Sequence, residues 1–278
     1  MRSPIRILGG KGKMARWIVD RLPECEAYVE PFGGGASVLL AREPVRLEVY
    51  NDLDESLVGF FKVLADPALF GDFYRRVALL PYSRALFYEC RRTWAEQADP
   101  VERAARWFVL ARQNFGGMCD SWGFVVTAHG HVPPLTWAST LKMLPAIHCR
   151  LQRVQIECND WRKVLAAYDG PDTLFYCDPP FVHATRSSTR YTHELSDQDH
   201  VELVERLLAL DGKAAVSTYP NDIYRRLVAA GWKRQIRRTV CHAAGKVRES
   251  GLRGLGAATR MQPRTEWLLV KPERKTEA

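Results

Sequence analysis

The chain has 278 residues, 46% of them hydrophobic and 26% charged, enough to bury a full core as one large domain or two small ones. No apolar run approaches the roughly 20 residues that cross a bilayer. The opening Met-Arg-Ser-Pro-Ile-Arg-Ile-Leu-Gly-Gly has no secretory apolar stretch, so a cytoplasmic protein that does not enter a membrane is expected. The net charge of +8 is unevenly placed, with 14 Lys and Arg against 3 acidic residues between Arg225 and Lys275. That asymmetry points to a polyanion bound toward the C-terminal side, a solvated basic face being the other reading. The seven cysteines are scattered without a Cys-x-x-Cys pair, and His148-Cys149 and Cys241-His242 lack ligand spacing, so reduced thiols and no metal are expected.

The first strand pattern is Ala27–Phe32, and it runs into Gly33-Gly34-Gly35-Ala36-Ser37 before the apolar Val38-Leu39-Leu40. Consecutive glycines permit positive φ and let a ligand approach the backbone. A strand, a glycine loop and a helix together cradle nucleotide-like cofactors in α/β folds, although the Gly-x-Gly-x-x-Gly of dinucleotide binding is missing. The second strand pattern, Arg46–Asn51, delivers Asp52 to the same sheet edge, where a carboxylate can accept both hydroxyls of a ribose or stand as a solvated turn acid.

From about residue 65 to 150 the alternation stops. Leu69–Leu80, Arg84–Ala95 and Val101–Gln113 read as helices, the last with Asp99 as cap and Pro100 at its first position. Asn114 to Trp137 reads as irregular, rich in Gly, His, Pro and Trp. Strand patterns return at Val154–Cys158, Thr173–Cys177, Ala214–Thr218, Gln235–Val240 and Glu266–Val270. Between them, Ser196-Asp197-Gln198-Asp199 caps an amphipathic helix that runs toward Gly212, and Ile223–Ala230 forms another that stops at Gly231. Strands alternating with helices predict a parallel α/β sheet, here with a mostly helical insertion over 65–150.

The most informative run is Phe175-Tyr176-Cys177-Asp178-Pro179-Pro180-Phe181. An apolar strand carries Asp178 to its carboxyl end, and two prolines hold a rigid non-helical turn. Phe181 then supplies a flat apolar wall. Acceptors beside an aromatic face suit a planar ring with an exocyclic amino group, which donates hydrogen bonds and stacks. Taken alone, the run also fits a buried strand that ends in a polar turn.

The ordered set Gly9-Gly10-Lys11, Glu30-Pro31-Phe32-Gly33-Gly34, Asn51-Asp52, the insertion, Asp160 and Asp178-Pro179-Pro180-Phe181 resembles the alpha group of S-adenosyl-L-methionine-dependent DNA adenine-N6 methyltransferases, the Dam-type family. The resemblance covers nearly the whole chain. It implies a Rossmann-like class I methyltransferase sheet formed by residues 1–64 and 151–278, with 65–150 as a target-recognition insertion. It implies S-adenosyl-L-methionine as cofactor, held by Lys11, Phe32, Gly33, Gly34, Gly35, Asp52, Asp160 and Asp178, with Lys13 competing for the place of Lys11. Asp178, Pro179, Pro180 and Phe181 would then act on an adenine flipped out of double-stranded DNA, and Tyr191 is a candidate to pack near that base. Asn114-Phe115-Gly116 resembles the start of the DNA-reading region and equally fits a helix C-cap. The resemblance is compatible with a monomer and with a companion restriction endonuclease. Three positions depart from the family pattern: Ala36 stands where glycine is common, Phe181 where tyrosine is more frequent, and Ile7 where some members have an aromatic. The rival readings are an amino methyltransferase for cytosine N4, RNA or a protein glutamine, and a DNA-binding relative without turnover.

Overall fold

The computed structural model describes residues 1–126, 132–185, 191–241 and 262–272. Of the basic C-terminal run, residues 242–261 and 273–278 lie outside the described residues, as do 127–131 of the irregular stretch. In chain order, helix α1 (Ala15–Val19), strand β1 (Ala27–Glu30), helix α2 (Ser37–Ala41) and strand β2 (Leu47–Asn51) come first. Five helices follow: α3 (Glu55–Ala65), α4 (Pro67–Ala78), α5 (Arg84–Thr93), α6 (Pro100–Gln113) and α7 (Pro133–Leu151). The chain then alternates through β3 (Gln155–Glu157), α8 (Trp161–Tyr168), β4 (Thr173–Cys177), α9 (Asp197–Ala209), β5 (Lys213–Thr218) and α10 (Asp222–Ala229), and ends on β6 (Lys233–Cys241) and β7 (Gln262–Val270).

The helix starts are written locally. Asp54, Asp66, Ser83, Asp99, Asp160, Ser196 and Asn221 each accept a hydrogen bond from a first-turn backbone N–H of the helix that follows, and Ser196 with Asp199 closes a full capping box. Pro67 and Pro100 occupy first helical positions, where the missing N–H costs nothing. The expected irregular stretch ends earlier than its composition suggests, because α7 begins at Pro133 and continues through Pro145.

The seven strands form one sheet in the order β3-β2-β1-β4-β5-β7-β6. The first five are parallel, as the alternation predicts, whereas β7 pairs antiparallel with both β5 and β6. Sequential order reverses between β1 and β4, and in open α/β sheets ligands bind outside the carboxyl ends of the strands at such a switch point. Both faces of the sheet are covered. Val29, Val49, Phe175, Cys177 and Val216 pack with α8, α9 and α10 on one side. Tyr28, Tyr50, Leu174 and Tyr176 pack on the other, in a core continuous with Phe60, Phe61, Phe73 and Phe108 of the helical segment. Alternate residues of each strand thus serve opposite faces. Among the described residues, no helix is long and apolar enough to cross a membrane.

Candidate active site

A cleft of about 710 Å³ opens at the carboxyl edge of the sheet, at the β1/β4 switch point. Its size falls within the about 300–1,000 Å³ of small-molecule sites. Lys11, Phe32, Gly33, Gly34, Gly35, Asp52, Asp178, Pro179, Pro180 and Phe181 all line it, so residues far apart in sequence meet in one place.

The floor is the loop after β1. Gly33 donates its N–H to the Asn51 carbonyl at 2.7 Å, and a Cβ on Gly33 would lie 2.3 Å from the Tyr50 ring, so no side chain fits there. Gly34 has φ +47° and donates to Asp52 Oδ2 at 2.8 Å, while the Tyr50 hydroxyl donates to the Gly34 carbonyl at 2.8 Å. Asp52 Oδ1 accepts from the Asp54 N–H at 2.9 Å, so one lone pair on each carboxylate oxygen is engaged and the others are left for a ligand. Burial raises the Asp52 carboxyl, and the two backbone donors oppose the rise. Ala36 has φ 52°, a left-handed conformation that explains why glycine would suit this position. Buried Asn51 braces the edge from below. Its Nδ2 donates to the carbonyls of Pro31 and Asn159 at 2.9 Å each, and its Oδ1 accepts from the Asn159 N–H at 2.8 Å.

Asp178 follows β4. Its Oδ1 lies 3.0 Å from Lys11 Nζ, and its side chain keeps 18% of its surface exposed. Burial pushes the Asp178 carboxyl up to about 6, with Lys11 pulling back and Glu266 adding to the rise. Lys11 is buried and also reaches Glu266 Oε1 at 2.9 Å. Burial alone would lower the Lys11 ammonium, but Asp178 and Glu266 outweigh it and hold the group above its ordinary value. The same ammonium sits 4.4 Å from the centre of the Phe181 ring, which meets Tyr219 edge-on at 4.4 Å. Lys13 is exposed and does not line the cleft.

Glu30 ends β1 and faces the same space, 2% exposed, accepting a hydrogen bond from the Tyr28 hydroxyl at 2.7 Å. Burial pushes its carboxyl up to about 8, which favours the protonated form. Trp161 lines the cleft and lies 6.1 Å from the Phe32 ring. Asp160, next to it, caps α8 through the Arg162 N–H at 2.8 Å and pairs with the Arg162 guanidinium at 3.1 Å; it is not among the residues that line the cleft. Tyr191 lines the cleft against Gly9, whose φ is +74° and where a Cβ would fall 2.5 Å from the Tyr191 hydroxyl. Asn114 is the C-cap residue of α6, and its Nδ2 donates to the Leu110 and Ala111 carbonyls. Among the described residues, no group of three or more His, Cys, Asp and Glu could hold a metal.

Sequence reasoning assigned no site role to Glu266, Glu30 or Trp161, although Glu30 opens the Glu30-Pro31-Phe32-Gly33-Gly34 motif. Glu266 had one signal, a lone acid at the head of an apolar strand in an otherwise basic region. Together the groups offer an anchored carboxylate beside an aromatic ring, with a glycine-floored cradle and a second acid, Asp52, on the same sheet edge.

Residues 8–232 match the family model described as D12 class N6 adenine-specific DNA methyltransferase. The DNA adenine methylase of Vibrio cholerae serotype O1 is 25% identical over 197 residues, covering 68% of this chain and 69% of that protein. The DNA adenine methylase of Salmonella typhimurium is 25% identical over 222 residues, covering 75% of this chain and 77% of that protein. The DNA N-6-adenine-methyltransferase of Escherichia phage P1 is 26% identical over 220 residues, covering 74% of this chain and 28% of that larger protein.

Proposed function

The chain belongs to the D12 class of N6 adenine-specific DNA methyltransferases, and we propose that it moves a methyl group from S-adenosyl-L-methionine to the N6 amino group of an adenine turned out of duplex DNA. Adenine-specific DNA methylation requires a methyl donor, and the residues present fit this one. Asp52 has acceptor capacity left for two ribose hydroxyls, Gly33, Gly34 and Gly35 line the cleft beside it, and Phe32 near Trp161 offers apolar faces to an adenine ring. Asp160 lies at the start of α8 beside Trp161, where a polar contact to the donor's adenine is assigned to it. When bound, S-adenosyl-L-methionine supplies a methyl group on a positively charged sulfur that departs with the bonding electron pair.

The chain's own residues do the rest. Asp178, with a backbone carbonyl of Pro179 or Pro180, accepts hydrogen bonds from the target amino group. This draws the nitrogen toward tetrahedral geometry and frees its lone pair from ring conjugation, and once the nitrogen carries the methyl group its surplus proton leaves to solvent. Phe181 stacks on the target ring, and Lys11 fixes Asp178 through one oxygen while the other is left for the amino group. Catalysis by positioning and charge fits this set of residues. The target base has to leave the helix at a cost of a few kcal/mol. We assign that cost to contacts from the 65–150 segment, as the target-recognition unit, and from the basic C-terminal region, which would make affinity fall steeply with salt. The working unit is taken as one chain in the cytoplasm, and a companion endonuclease is a partner to seek.

The observation that carries this reading is the Asp178 carboxylate, held by Lys11 at 3.0 Å beside the Phe181 ring at the sheet's switch point. Expression in a methylation-free host followed by long-read mapping of modified bases tests it. Methyladenine at a fixed word, abolished by Asp178→Ala, is the expected result; methylcytosine or an unmarked genome overturns it. Calorimetry with S-adenosyl-L-methionine, weakened by Asp52→Ala, tests the donor.

A further inference from the structure

Glu266 reaches the cleft from the opposite chain direction. Strand β7 pairs antiparallel with β5, with Thr218 opposite Trp267, so the residue before Trp267 stands at the carboxyl edge of the parallel strands. Glu266 is 5% exposed there, and the one ion pair it forms among the described residues is with Lys11. Lys11 Nζ therefore stands between two carboxylates, 2.9 Å from Glu266 and 3.0 Å from Asp178. A lone lysine facing Asp178 would make a neutral pair and a weak acceptor, because the ammonium would take most of the carboxylate's charge. A second carboxylate divides that ammonium and leaves the triad with one surplus negative charge.

We infer that Glu266 is a positioning residue for methyl transfer: it anchors the Lys11 ammonium between itself and Asp178, over Phe181, and so keeps Asp178 a strong hydrogen-bond acceptor for the target amino group. The inference rests on the function proposed above. It uses no bond-making step of its own, since Glu266 acts through Lys11. Among the described residues, the other titratable groups that feel the Asp178 charge are Glu30 at the end of β1, Tyr176 and Cys177 on β4, and Tyr224 on α10, all buried. None of these is a cation, so the division of charge is decided between Lys11 and the two acids.

Glu266→Gln keeps the shape and removes the charge. Titration of Asp178 by carboxyl ¹³C NMR in the free protein, with the signal assigned by its loss in Asp178→Asn, is expected to move to lower pH by about one unit. The acid limb of the kcat/KM profile moves the same way, and plateau kcat falls about ten- to hundredfold, the scale of a misplaced catalytic group. KM for DNA and for S-adenosyl-L-methionine stays within about twofold, as expected when an interaction made only in the transition state is lost. Glu266→Asp restores the position of the limb. In a Lys11→Met background, Glu266→Gln adds no further loss of kcat. An unmoved Asp178 titration overturns the inference, as do losses that multiply in the double variant, or a fall in melting temperature with an unchanged acid limb. The NMR arm needs no turnover, so a chain that failed to methylate adenine would count against the proposed function and not against this role.

Discussion

Among the described residues, ion pairs are buried in two places, and the two are built differently. Glu48 on β2 and Arg150 in the last turn of α7 meet through two parallel bonds of 2.6 Å, with side-chain exposures of 0% and 5%, and Arg150 also donates to the Leu39 carbonyl at 3.2 Å. One cation faces one anion in fork geometry, dry and balanced, and the pair ties the helical segment to the sheet. At the cleft one cation faces two anions, and Asp178 keeps 18% of its side chain open. A balanced, closed pair presents no surplus charge to a ligand, although the buried Arg150 Nε makes no hydrogen bond among the described residues. An unbalanced pair beside an opening holds charge in reserve, which is what a site for a polar or cationic ligand requires.

If that contrast is right, breaking the two clusters gives opposite results. Asp178→Ala is expected to lower methyl transfer by about a thousandfold or more, the scale on which preorganised polar contacts act, while the melting temperature changes little or rises. In the role proposed for it, Asp178 has to be ionised to accept the amino hydrogens. Its carboxyl is raised to about 6, so kcat/KM should fall tenfold per pH unit below that value and level off above it. Arg150→Met does the reverse. It strands Glu48 in the core and is expected to cost about 3–5 kcal/mol in urea unfolding, with the specific activity of the folded protein retained. Replacing both members, Glu48→Leu with Arg150→Met, should recover most of the loss. A stable Arg150→Met or an active Asp178→Ala would break the comparison.

The same contrast explains what the chain made legible. Thr173–Cys177 is a strand in both readings because an unbroken apolar run between a turn and two prolines has few alternatives. Asp178 and the Gly33–Gly35 loop stood out because each follows a strand with a distinctive neighbour, and Lys11 because it follows Gly9-Gly10. Glu266 was not, since alternation identifies strands without giving their direction, and only the antiparallel pairing of β7 brings its first half to the cleft. Helix α7 was read as irregular up to Trp137 because Pro133-Pro134 looks like a break, although prolines in the first turn lack only N–H groups that have no intrahelical partner. Asn114 fitted two descriptions equally, and its bonds to the Leu110 and Ala111 carbonyls are those of a helix C-cap. The raised carboxyl of Glu30 is invisible in sequence, because it depends on burial that only the folded core creates.

Glu30 adds a pH test of medium size. Its carboxyl is held near 8 in the folded protein against about 4.5 unfolded, with burial as the main cause. Below about 4.5 both states are protonated and the group is silent. Between about 4.5 and 8 the unfolded chain releases a proton that the folded one keeps, so stability falls as pH rises, by up to ~1.4 kcal/mol per pH unit and a few kcal/mol in total. Above 8 the penalty is complete. Asp178 adds a smaller slope of the same sign between about 3.8 and 6. Glu30→Gln mimics the neutral acid and still accepts from Tyr28, so urea unfolding at pH 5, 6.5 and 8 should give a flatter profile than the unaltered protein. An identical slope in both would show that Glu30 is ionised in the folded state.

The smallest expected effect is the control on which the comparison depends. Arg162 also faces several acids, with Asp160 at 3.1 Å, Asp199 at 2.5 Å and Glu202 at 2.8 Å, and it lies over the Trp161 ring at 4.4 Å. With Arg206 also pairing with Glu202 at 2.8 Å, two cations face three acids, the same surplus of one negative charge as in the cleft triad. The Arg162 side chain is 30% exposed, however, and its partners are 31–38% exposed, so water and salt share the imbalance. Imbalance should matter only where solvent cannot relax it. Arg162→Met is therefore expected to shift the melting temperature by no more than about 2–4 °C, shrinking further in high salt. Arg150→Met should shift it several times more, independent of salt. Equal shifts for the two variants would mean that burial is not what separates these clusters, and the reserve of charge assigned to the cleft would lose its physical basis.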